Sequence, residues 1–139
     1  MNGIEKQPKG EVLLLKDQIC YQDGQIASKT PARNSHVRTT LFSFDKSEGI
    51  STHAAGEAAF VTCPDGVGKI PADGVDSYLH KGKSFVMPAH HPHAVAGEEW
   101  FKMLLMVVFY KFKELYRRYF CNNAAKNLLT SDNIGCIMQ

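Results

Sequence analysis

Long apolar runs are scarce in this chain of 139 residues. The most apolar stretch covers positions 103–110, far short of the roughly 20 residues that a membrane-spanning helix needs. A membrane protein is therefore not expected. Charge of one sign is also scarce: the formal net charge is +2, too small to argue for nucleic acid, and no helix-turn-helix signature is present. The four cysteines, Cys20, Cys63, Cys121 and Cys136, contain no Cys-x-x-Cys pair. They read as reduced thiols in a cytoplasmic setting. Glu5, Lys6 and Lys9 are followed by no long apolar segment, so no signal peptide is expected. The length suits a single core.

What the chain does have is two units of similar build. In the downstream one, Gly82 opens a run centred on Phe85, Val86 and Met87, and Pro88 ends it, because proline cannot donate to a sheet ladder. His90, His91 and His93 follow. In the upstream one, Gly49 leads to His53, Gly56 and Glu57, then to an apolar run over 58–63. Each is a glycine turn, a strand and a histidine-bearing edge.

At these residues the chain resembles a small single-domain cupin of the conserved-barrel (cupin 2) type. Gly82, Pro88 and His93 satisfy the family's second motif, while His90 replaces that motif's internal glycine and Gly97 its trailing asparagine. In the first motif His53 supplies one histidine. The second histidine position holds Ala55 and, counting back from Gly66, the glutamate position holds Ala59. The similarity covers 37–109 and, more loosely, reaches back to Glu11. It implies an all-β, double-stranded β-helix (jelly-roll) barrel over residues 1–110. It also implies a homodimer formed through the N-terminal strands, for which the apolar run Val12 to Leu15 gives a motive.

Along the chain, strands are expected at 11–15, at 25–30 up to Pro31, and at 37–44, where β-branched and aromatic residues concentrate. Further strands are expected at 50–53 and 58–63. A hairpin should follow, with Asp65-Gly66 and Asp73-Gly74 as its turns and its first arm weakened by Gly68 and Pro71. Strands at 75–80 and 84–87 come next. A turn at Gly97-Glu98-Glu99 should precede a closing strand over 100–109. In residues 111–139, Phe112, Leu115, Tyr116 and Tyr119 repeat at helical spacing beside five basic and two acidic residues. The reading is an amphipathic helical tail, its basic face in water.

Imidazole is a common ligand for first-row metals. By motif position, His53 and His93 are the metal-ligand candidates. His91 joins them because it lies two residues from His93, on the same side of an extended strand, and Glu57 is a fourth candidate. Cys63 and Met87 are candidate pocket residues, with a plain core thiol the alternative for Cys63. His36 and His80 read as surface residues. Three functions follow. The first is a barrel holding a divalent transition metal (Zn, Fe, Ni or Mn), a small polar or carboxylated molecule, or both. The second is a metal-dependent enzyme of dioxygenase, isomerase or lyase type. The third is a metal-free binding or interaction scaffold. The depleted first motif favours binding over catalysis.

Overall fold

A computed structural model describes residues Gly3, Ile4 and 6–109. The expected C-terminal helix, over 111–139, lies outside the described residues. Among those described, no helix is long and apolar enough to cross a membrane.

Among the described residues, eight strands form one curled antiparallel sheet: β1 (Gly3–Ile4), β2 (Ile26–Arg33), β3 (Val37–Phe44), β4 (Gly49–His53), β5 (Ala59–Ala72), β6 (Val75–His80), β7 (Ser84–Met87) and β8 (His93–Val108). The order is β1-β2-β3-β8-β5-β6, with β4 added to β8 and β7 to β5. The two long strands close the barrel because each changes partner along its length. The start of β8 pairs with β4 and its end with β3. The start of β5 pairs with β7 and its end with β6. Inward-facing Phe44, Val61, Ile70, Val95, Phe101 and Met103 form the core. The rings of Phe44 and Phe101 stack at 5.6 Å between centroids.

Four sequence expectations need correction, and bulges explain three of them. Pro31 does not end β2. The pairing with β3 skips from Lys29–Leu41 to Ala32–Thr39, so Thr30 and Pro31 occupy a bulge, where a missing N–H costs no ladder bond. Asp65-Gly66 does not turn the chain either. β5 runs through it, with irregularities between Thr62 and Asp65 and between Gly66 and Gly68. These shift the buried set from Ala59, Val61 and Cys63 to Gly68 and Ile70. Nor does Gly97-Glu98-Glu99 reverse the chain. Opposite Gly66–Gly68, β8 carries its extra residues at 98–100 as an exposed bulge within one continuous strand.

The fourth correction concerns 11–15, which make no strand. Val12 is fully exposed, and a 3-10 turn follows at Leu15–Gln18. Polar anchors on the outer face of the sheet hold the residues that follow 11–15, from Lys16 to Tyr21. Lys102 Nζ donates to the Lys16 carbonyl at 2.6 Å and lies 4.5 Å from the Tyr21 ring centroid. Ser43 Oγ donates to the Cys20 carbonyl, and Tyr21 Oη to Asp65 Oδ2, both at 2.8 Å. Burial, then the Asp65 carboxylate, raises the Tyr21 phenol well above its usual range.

Asp73-Gly74 does turn the chain. Ala72 pairs with Val75 across it, and both loop residues have positive φ, 50° and 77°. That is the two-residue hairpin that Asp-Gly favours.

Candidate functional site

One end of the barrel holds a cavity of about 210 Å³. Phe42, Ile50, Met87, Val95, Met103, Leu105 and Val107 give it an apolar wall, and its polar side chains are His53, His93, Glu57 and Arg38.

His53 and His93 meet because they are direct partners on the β4–β8 ladder, and residues opposite one another share a face. A bulge makes this possible. Ile50 and His53 are three residues apart, a spacing that regular alternation places on opposite faces. Pairing skips from Ile50–Val95 to His53–His93, so β4 carries one extra residue. That residue brings both Ile50 and His53 to the cavity. The two imidazole centroids lie 4.6 Å apart with their planes at 64°. His93 is 4% exposed, whereas His53 lies on the open rim.

Each ring is held in the same way. His53 Nδ1 lies 3.0 Å from the Ser51 carbonyl oxygen, and His93 Nδ1 lies 3.0 Å from that of His91. A carbonyl oxygen only accepts, so Nδ1 of each neutral ring carries the proton and Nε2 keeps its lone pair. This is the tautomer that a metal or a hydrogen-bond donor takes up through Nε2.

Glu57 and Met87 line the same cavity. His91 and Cys63 do not. The His91 ring turns away to Asp73, with Nδ1 to Oδ2 at 2.6 Å, on the rim formed by the β5–β6 turn. Pro92 breaks the extended geometry that would have aligned His91 with His93; its carbonyl accepts from the Asp73 N–H. Cys63 is buried, and its Sγ donates toward the Asp65 carbonyl at 3.2 Å. Burial pushes its thiol up to about 11. His90, at the family's glycine position, adopts φ 62° and donates its N–H to the Ala55 carbonyl at 2.7 Å, tying together the loops that carry the two motifs. Among the described residues no group of three His, Cys, Asp or Glu side chains comes together to hold a metal ion.

Arg38 escaped the sequence reading. On β3 it alternates in phase with Phe42 and Phe44, both of which face inward. A charged residue in phase with a core face was the available signal.

No protein-family profile matches the chain, and no curated protein matches it. Among solved structures, a conserved protein of unknown function from Streptococcus pyogenes is 32% identical over 80% of this chain and 97% of that one, with a TM-score of 0.74. A cupin superfamily protein from Desulfitobacterium hafniense is 27% identical over 77% of this chain and 98% of its own, with a TM-score of 0.73. A cupin 2 conserved barrel domain protein from Leptotrichia buccalis is 42% identical over 68% of this chain, with a TM-score of 0.65, and this chain spans 46% of it. The barrel topology, the placement of both histidine-bearing edges at one mouth and these likenesses agree: the chain belongs to the cupin superfamily.

Proposed function

We propose that this cupin binds a small molecule in its barrel cavity, and that His53 and His93 together hold a divalent transition metal beside it. The observation that carries this reading is the matched pair of Nδ1–carbonyl hydrogen bonds, which leaves both Nε2 lone pairs without a partner among the described residues. Two imidazoles 4.6 Å apart fit an open, weakly held ion. They fall short of a closed site, which takes four protein ligands in structural zinc centres. A bound metal would polarise a carbonyl or carboxylate or activate water. The protein's own part is to orient the two rings, to offer the Glu57 carboxylate in the same cavity, and to surround the ligand with apolar side chains. A dioxygenase-type set of three histidines and a carboxylate is not assembled among the described residues, so binding is the reading ahead of catalysis.

The test is elemental analysis of protein purified without a histidine tag or chelator, followed by titration with Zn, Ni and Fe. The expected result is metal uptake that His93→Ala abolishes and His36→Ala leaves intact. Failure of the unaltered protein to take up any of the three metals would favour the metal-free scaffold. We further propose a cytoplasmic homodimer. Val12 and Leu14 are exposed, and so is the outer-face row Val86, Phe60 and Met106, which are neighbours by register. Light scattering at micromolar concentration should give twice the chain mass; a monomer mass would count against it.

A further inference from the structure

We propose that the molecule taken up by the cavity is a small monocarboxylate with a hydrocarbon body, and that Arg38 is its anchor. This rests on the reading above that the cavity binds a small molecule.

Among the described residues no carboxylate forms an ion pair with Arg38. Its guanidinium carbon sits 5.4 Å from the centroid of the Phe109 ring. That contact fixes the group's position without neutralising it. Among the described residues the ion pairs are Lys46–Glu99, Lys69–Asp76 and His91–Asp73, and none involves an arginine. A second observation points to an anion. Arg33 on β2 is the direct cross-strand partner of Arg38, and like charges directly opposite one another repel. An anion at the mouth relieves that repulsion. A guanidinium is shaped to accept a carboxylate through two parallel N–H bonds.

The rest of the lining selects the remainder of the ligand. Away from the His53–His93 pair and Glu57, the lining of Phe42, Ile50, Met87, Leu105 and Val107 offers it nothing polar, so most of the body beyond the anionic group is hydrocarbon. Glu57, which also lines the cavity, adds a negative charge that disfavours a second carboxylate. Size narrows the class further. A dry apolar cavity of about 150 Å³ takes up benzene, and a water's share of liquid is about 30 Å³. A cavity of about 210 Å³ therefore matches a six-carbon ring or branched chain with about two waters' worth of room left for the carboxylate. Benzoate and isovalerate are of this class.

The experiment uses the full chain stripped of metal by chelator, so that the outcome is independent of the imidazole pair. Benzoate and its neutral isostere benzamide are titrated by calorimetry or by amide chemical shifts. Benzoate is expected to bind more tightly than benzamide. Arg38→Met should weaken benzoate by about tenfold or more, the size of a lost charge-assisted bond, and leave benzamide unchanged. Arg38→Lys, which keeps the charge but loses the fork, should fall between them, and it serves as the test should the methionine variant fail to fold. Equal binding of benzoate by unaltered protein and both variants would overturn the proposal. Binding of benzamide without benzoate would overturn it while leaving the small-molecule reading intact. Binding of neither would overturn both.

Discussion

At the middle of β5, Asp65-Gly66 lies inside the strand; at its end, the same dipeptide, Asp73-Gly74, makes the turn into β6. Both glycines have φ +77°. The surroundings differ. A Cβ on Gly66 would overlap the carbonyl oxygen of Trp100, and one on Gly68 would overlap the Phe101 ring. Nothing lies within 4 Å of the corresponding position on Gly74. In the middle of the strand, glycine lets β8 press against β5 with its bulge at 98–100. At the rim, glycine serves only the backbone conformation of the turn. The site hangs from this less constrained rim: Asp73 is bonded to His91 and Pro92, and β4, which carries His53, is largely exposed. The proposed binding groups thus lie at the more open end, beside a tightly packed middle.

Substitution at the two glycines should separate the two positions most clearly. Gly66→Ala must displace the backbone of β8 as well as adopt a strained φ, and loss of cooperative folding is the expected outcome. Gly74→Ala meets only the left-handed backbone cost, about 1 kcal/mol, a fall of roughly 4 °C in Tm for a chain of this size. Thermal unfolding followed by circular dichroism checks both. Equal shifts would show that the two positions are constrained alike.

The two described thiols differ in the same way, with a smaller effect. Cys63 is buried beside the middle bulge, and Cys20 is exposed. Burial, chiefly, raises the Cys63 thiol to about 11. A group whose pKa is raised by folding contributes stability that is complete below its unfolded value, about 8.5, and is lost as pH rises through about 11. Iodoacetamide at pH 8 should therefore label Cys20 well before Cys63, as read by peptide mass mapping, and unfolding by urea should need less denaturant at pH 10.5 than at pH 8. Comparable labelling of the two cysteines in the native protein would contradict this burial.

How far the fold could be read from the sequence follows the same division. Val37–Phe44 was legible because its β-branched and aromatic residues announce a strand, and the closeness of His53 to His93 was legible because each follows a glycine-opened strand. The bulges were not. Three of them, at Thr30-Pro31, within β5 and within β4, set which side chains face inward. A bulge is fixed by what lies across the ladder, so a local reading of Asp65-Gly66 sees a turn. The same limit hid Arg38, whose inward phase shows only once the register of β3 is known. It also misassigned His91, whose spacing from His93 suggested a shared face until Pro92 and Asp73 turned it aside.

The smallest expected effect concerns the one rim position where this sequence departs from the family's glycine. His90 holds φ 62°, a conformation that costs a non-glycine residue about 1–2 kcal/mol. Its N–H bond to the Ala55 carbonyl holds it there, and a glycine would make the same bond. His90→Gly removes the backbone strain but frees the unfolded chain, which offsets about 0.5–1 kcal/mol of the gain. The net expectation is a stabilisation of about 0.5 kcal/mol, near 2 °C in Tm, opposite in sign to Gly74→Ala. Because the imidazole of His90 does not line the cavity, metal uptake by His90→Gly should match that of the unaltered protein. A destabilised variant would mean that the His90 ring makes a contribution larger than the strain of its backbone.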